Sequence, residues 1–243
     1  MSPSATERPV VPLAPHQFWQ TFYPVGTFDV APADGFRDLY PASLPDGRQI
    51  ALPVRVLPGD GSRAVASMIV NQASFAVEDA LSDAMAAYAR AYAPEIVIGV
   101  PTLGLPLANG VARRLGHERM VALGTSRKFW YSEELSEPMS SITSPEHAKR
   151  LYLDPRMLPL LEGRRVLVVD DVVSSGTSML AVLKLLAKAG IRPVAAVFGM
   201  LQGDVWRQAL AEFDPAFAAH VHGAIASPRL TLGSDGGWRS IAS

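Results

Sequence analysis

The thirteen residues Val166 to Ser178, VLVVDDVVSSGTS, constrain the fold more than any other part of the chain. Val166 to Val169 form an unbroken apolar run, which suits a strand covered on both faces and so a parallel sheet between helices. Asp170 and Asp171 follow at its carboxyl end, the edge where open α/β sheets bind ligands. Ser174, Ser175, Gly176, Thr177 and Ser178 then lead into a helix, where backbone N–H groups, hydroxyls and the helix N-terminus favour an anion.

Other origins of this run fit less well. Receiver domains also open on VLVVDD, but the 73 residues after Asp170 fall short of the roughly 100 or more such a domain needs. The magnesium strand of a P-loop NTPase would need G-x-x-x-x-G-K-[ST]. Gly99 and Gly104 have that spacing, yet Leu105 and Pro106 stand where Lys and Ser/Thr belong. Solvated strand-end acids followed by a plain N-cap leave the adjacency of two carboxylates and five small residues without a purpose.

Elsewhere strands and helices alternate. Ile50, Leu52, Val54 and Val56 alternate with other residues, and the turn Pro58-Gly59-Asp60-Gly61 leads to Ala64 to Val70, a β-hairpin pattern. Ser74 caps a helix with Val77, Leu81, Met85, Tyr88 and Tyr92 at helical spacing. Glu95 to Val100 reads as a buried strand, Leu107 to Leu115 as a helix stopped by Gly116, and Met120 to Leu123 as a short strand. After the Val166 strand come a helix from Ser178 to Ala189, ended by Gly190, and a strand from Val194 to Phe198. The expected fold class is α/β, a mainly parallel sheet with helices on both faces. Arg127 to Arg150 is rich in Ser, Glu, Pro and charge, which predicts a long mobile excursion outside the core.

The Val166 to Ser178 run resembles the phosphoribosyl pyrophosphate (PRPP) motif of the type I phosphoribosyltransferases, with every position of the pattern filled. The resemblance implies that Asp170 and Asp171 hold the ribose hydroxyls and act catalytically, and that Ser174, Ser175, Gly176, Thr177 and Ser178 wrap the 5-phosphate. It places a pyrophosphate loop at Thr102, Leu103 and Gly104, often with a non-proline cis peptide. Leu103 departs from the charged residue common there. Arg127-Lys128 matches the basic pair that adenine and xanthine phosphoribosyltransferases carry before a flexible loop, so Lys128 would neutralise pyrophosphate with Arg127, and Phe129 to Arg150 would be a closing lid with Tyr131 and Lys149 near the ligand. Ile69-Val70-Asn71-Gln72 resembles a base-reading segment of xanthine phosphoribosyltransferases, which makes Asn71 a candidate base reader or simply a turn residue. Trp238 could stack on a base or pack on the core.

The resemblance covers about residues 66–202 of 243. It divides one domain into a mobile tail (1–15), an N-terminal hairpin and hood (16–65), a PRPP-binding core (66–202) and a C-terminal hood or tail (203–243). It implies transfer of phosphoribosyl to a nucleobase, with a purine as the expected acceptor, and with Mg²⁺ held through PRPP and Asp170 and Asp171 nearby. A sensor that kept the fold and lost the chemistry is the alternative, and a homodimer is compatible with either. A net charge of −1 without a basic run argues against nucleic-acid binding. The absence of cysteine excludes disulfides and thiolate chemistry and, with no signal peptide or apolar run of about 18 residues, leads to the expectation of a cytoplasmic protein without membrane contact. The five His offer no zinc-type ligand set.

Overall fold

The alternation expected from the sequence is present in a computed structural model that describes residues 12–139 and 149–241. Three strands come first, β1 (Leu39–Ser43), β2 (Gln49–Val56) and β3 (Arg63–Ala66), then helix α1 (Phe75–Ala89). There follow β4 (Ile96–Gly99), α2 (Gly104–Arg114), β5 (Val121–Ala122), β6 (Ser136–Met139), β7 (Lys149–Tyr152), β8 (Val166–Val173), α3 (Thr177–Lys188) and β9 (Ala195–Gln202). The chain continues through α4 (Val205–Phe213), α5 (Pro215–Ala218), β10 (Val221–Ser227), β11 (Arg229–Leu232) and β12 (Trp238–Ser240).

The central sheet has the order β10-β9-β8-β4-β5, and every neighbouring pair is parallel. Strand side chains alternate between faces, and both faces are covered. Val97, Leu167, Val169, Ala195 and Val197 pack with Leu81, Met85, Leu107 and Val111 of α1 and α2. Ile96, Ile98, Val166, Val168, Ala196 and Phe198 pack with Val182, Leu185 and Leu186 of α3 and Trp206 of α4. Each such buried aliphatic contributes ~1.5–3 kcal/mol, whereas exposed pairs such as Arg48–Asp46 contribute about 0–1 kcal/mol. Packing therefore positions the sheet. Local signals set the helix ends: the Ser74 hydroxyl accepts from the Val77 N–H at 3.3 Å, and Gly116 and Gly190, at φ 79° and 69°, follow α2 and α3.

A second sheet, antiparallel throughout, has the order β1-β2-β3-β11-β12. It joins segments from before and after the central sheet, as the expected hood requires. Phe36, Ala64, Leu230 and Trp238 form its own small core.

Two expectations need correction. The acids do not end the β8 strand: it runs on to Val173, with Asp170 opposite Phe198 and Val172 opposite Met200. The expected excursion at 127–150 is also partly built into the fold, since β6 pairs with β7 and Leu135, Met139 and Leu151 are buried against the α3 side of the sheet. Charged Glu137, Lys149 and Arg150 among the apolar residues of four-residue strands hid this pattern in the sequence. Residues 140–148 of that segment and 1–11 of the expected tail lie outside the described residues, while Pro15–Gln17 form a short 3-10 turn.

Candidate functional site

Because β8 continues beyond its apolar run, it carries Asp170 and Asp171 to the carboxyl edge of the sheet inside the fold. Asp170 is only 8% exposed. Its Oδ1 accepts the Asp171 N–H at 2.8 Å. Burial pushes the Asp170 carboxyl well above the ordinary carboxylate range, and the neighbouring Asp171 charge pushes it further. Burial also raises Asp171. Among the described residues, no cationic side chain offsets either acid.

The turn after β4 meets this pair directly. A Cβ on Gly104 would lie 2.6 Å from Asp170 Oδ1 and 2.8 Å from its Cα, so glycine lets α2 begin against the acid. The Pro101–Thr102 peptide is cis, matching the loop type implied by the resemblance. After β8, Gly176 holds φ at 84° and starts α3, and the Ser175 and Thr177 hydroxyls lie 2.9 Å apart. A Cβ on Gly176 would face α4, 3.3 Å from Trp206 Cα and Ala209 Cβ. The glycine thus serves backbone conformation and packing on α4. Neither α2 nor α3 has a side-chain N-cap, so two helix N-termini open towards the same site.

These elements surround a cleft of about 740 Å³. Thr102, Leu103, Asp170, Asp171, Ser174, Ser175, Gly176 and Ser178 all line it. Thr177 opens α3 beside them, and Gly104 backs Asp170. Other expected residues are placed elsewhere. Arg127 pairs with Glu133 at 3.0 Å, and Lys128 is exposed; neither lines the cleft. Asn71 is exposed in a 3-10 turn, and the preceding Met68 and Ile69 line the cleft in its stead. Trp238 is buried beside Phe36 and Leu230 in the hood core, away from the cleft lining, because β12 closes that sheet. Tyr131 packs near Tyr152, with ring centroids 5.8 Å apart, and Lys149 lies in β7.

Sequence reasoning missed Gln202 at the end of β9 and the hood's contribution: Arg55 and Arg229, with Ser67 just after β3, also line the cleft. For Arg55 the alternation Val54-Arg55-Val56 was a usable signal of a side chain facing away from the strand's apolar side. Arg229 carries the same kind of signal in the alternation Arg229-Leu230-Thr231-Leu232.

A parallel sheet with an acid pair near its carboxyl edge, two open helix N-termini on one cleft and a separate antiparallel hood define the type I phosphoribosyltransferase architecture. Residues 68–204 match the phosphoribosyl transferase domain, and the chain belongs to that family. Among solved structures it is similar to an adenine phosphoribosyltransferase of Giardia lamblia complexed with 9-deazaadenine, with TM-score 0.55, 18% identity and coverage of 78% of this chain and 93% of that one. It is also similar to the adenine phosphoribosyltransferase of Thermoanaerobacter pseudethanolicus, with TM-score 0.53, 16% identity and coverage of 72% and 95%. At these identities the likeness is one of fold. Amidophosphoribosyltransferase 3 of Arabidopsis thaliana is 33% identical over 100 residues, which cover 41% of this chain and 18% of that protein. The hypoxanthine/guanine phosphoribosyltransferase of Methanosalsum zhilinae is 32% identical over 96 residues, 40% of this chain and 46% of that protein. The chain thus spans less than half the length of these curated relatives.

Among the described residues, no helix is long and apolar enough to cross a membrane.

Proposed function

We propose that the protein transfers the 5-phosphoribosyl group of PRPP to a purine nucleobase and releases pyrophosphate. The observation that carries this reading is the juxtaposition, in one cleft, of the buried Asp170–Asp171 pair with the Ser174–Ser178 loop and the turn at Thr102. The loop's N–H groups and hydroxyls suit the 5-phosphate, and the uncapped start of α2 suits pyrophosphate. Fixing both ends of PRPP presents ribose C1 to the acceptor. The C1–oxygen bond to pyrophosphate breaks and a C1–nitrogen bond forms, with the nitrogen's proton passing to solvent or to the departing group. Asp170 and Asp171 orient the ribose and favour the positive charge that develops on the sugar.

The residues fit Mg²⁺ as the family resemblance implies it. Two adjacent carboxylates without a cationic neighbour suit a divalent ion. Mg²⁺ needs few protein carboxylates when substrate oxygens and water complete its shell. When bound, Mg²⁺ would supply neutralisation of pyrophosphate charge.

A screen of nucleobases with Mg²⁺ and PRPP, read as pyrophosphate release, tests the proposal. Release dependent on a purine supports it. Release only with pyrimidines would remove the purine assignment, and PRPP binding without release from any base would replace the enzyme by a sensor.

A further inference from the structure

We infer that the acceptor carries negative charge and that Arg55 and Arg229 on the hood bind it. The inference rests on the phosphoribosyl-transfer reading above. Arg55 of β2 lies directly across from Val65 of β3, and Val65 lies directly across from Arg229 of β11. Residues alternating with them, Ala64 and Leu230, are in the hood core, with Val54 packed against it. Since side chains change face at every residue, Arg55, Val65 and Arg229 share the opposite face. All three line the cleft that also holds Asp170 and Asp171.

Three adjacent strands set the two arginine Cα atoms about 10 Å apart, a bracket able to take one planar heterocycle above Val65. Arg229 is seated by its neighbour: a Cβ on Gly203 would lie 2.9 Å from Arg229 Cγ and 3.2 Å from its Cδ, so the glycine gives the stem its path. Among the described residues neither arginine forms an ion pair, and no other cationic side chain lines the cleft. Nor, among the described residues, does either arginine lie within ion-pair distance of Asp170 or Asp171. The cleft therefore separates its charges, with acids at the sugar end and guanidiniums on the hood.

A guanidinium makes paired hydrogen bonds to a carboxylate or to an ionised ring oxygen and its neighbouring nitrogen. A neutral aminopurine offers the half-exposed Arg229 and exposed Arg55 no charged partner, whereas an anion gains charge-assisted hydrogen bonds from both. The acceptor chemistry that fits is an anionic heterocycle. An acidic oxopurine is its purine form, and a carboxylated pyridine or pyrimidine carries the same chemistry.

The test uses the full chain with Mg²⁺ and PRPP, and three acceptor pairs that differ in acidity: xanthine against adenine, nicotinate against nicotinamide, and orotate against uracil. At least one acid member is expected to release pyrophosphate with kcat/KM about 100-fold or more above its neutral counterpart, and the active pair identifies the ring. Arg55→Gln and Arg229→Gln should each raise the KM for that acid about tenfold or more, with KM for PRPP unchanged. Arg→Lys at either position should recover only part of the loss, because a point charge replaces a planar fork. Preference for the neutral members, or a KM effect confined to PRPP, would overturn the anionic acceptor while leaving phosphoribosyl transfer in place. No release with any of the six would overturn both.

Discussion

Ionising Asp170 works against its surroundings, since burial and the Asp171 charge both hold its carboxyl above the usual range. A carboxyl with a higher pKa in the folded than in the unfolded chain binds protons on folding. Its ionised form therefore destabilises the fold, and stability falls as pH rises from the unfolded value of 3.8 through the raised folded value. Asp170→Asn removes the buried charge and retains the acceptor for the Asp171 N–H, so it should raise the melting temperature of the ligand-free protein by a few degrees, at about 2–4 °C per kcal/mol. The same change should lower pyrophosphate release by about 10²–10³-fold. Scanning calorimetry with the release assay checks this, and a lowered melting temperature would contradict the account of the acid pair as a functional burden on the fold. Gly104→Ala makes a second residue-scale test. Its new Cβ meets Asp170, so turnover should fall even though alanine favours helices over glycine. Unchanged turnover in that variant would show that α2 need not abut the acid.

At the scale of elements, the β6–β7 ribbon differs most from the expectation of a mobile lid. Lys188 of α3 reaches it from below, donating to the Ser136 carbonyl at 2.7 Å and pairing with Glu137 at 2.6 Å. Amides within Ser136–Met139 and Lys149–Tyr152 should therefore be protected from hydrogen exchange without ligand, and Lys188→Ala should reduce that protection. Exchange at unstructured rates in the unmodified protein would restore the lid reading for these strands. Beside the ribbon, Asp154 accepts from the Arg156 N–H at 3.0 Å at the start of the 3-10 turn Pro155–Leu160. The Arg156 guanidinium hydrogen-bonded to it lowers the Asp154 carboxyl from 3.8 to about 2. That stabilisation is present above the unfolded value and lost as pH falls from 3.8 towards 2. Asp154→Asn should thus be less stable than the unmodified protein at neutral pH, and chemical denaturation should show the gap closing across that acid window. The central strands and helices were legible in the sequence because apolar runs and glycine stops are local. The ribbon was not, because its register pairs two four-residue strands that carry charged residues and are separated by nine residues of sequence.

In the whole molecule, the cleft lies between two sheets that the chain builds from distant parts. A buried hydrogen bond from Gln202 Nε2 to the Ala66 carbonyl, at 2.8 Å, ties the end of β9 to β3. The chain passes from β10 of the central sheet into β11 of the hood across Pro228. This explains which site residues could be read in advance. Asp170, Asp171 and the Ser174–Ser178 loop are contiguous, so their chemistry is visible in one line. Thr102 and Leu103 follow a recognisable strand. Arg55 and Arg229 are brought together only by the order β2-β3-β11, which no local pattern encodes. Lys128, Asn71 and Trp238, taken from resemblance alone, lie outside the cleft lining. The central claim is that the acid pair and the phosphate loop form a PRPP site, and calorimetric titration of PRPP into the ligand-free protein tests it most directly. With Mg²⁺ present, one PRPP should bind per chain, with affinity lost in EDTA and at least about tenfold weaker when Gly176, held at φ 84°, is replaced by Val. Equal affinity in EDTA and in Gly176→Val, or no binding with Mg²⁺ present, would contradict it.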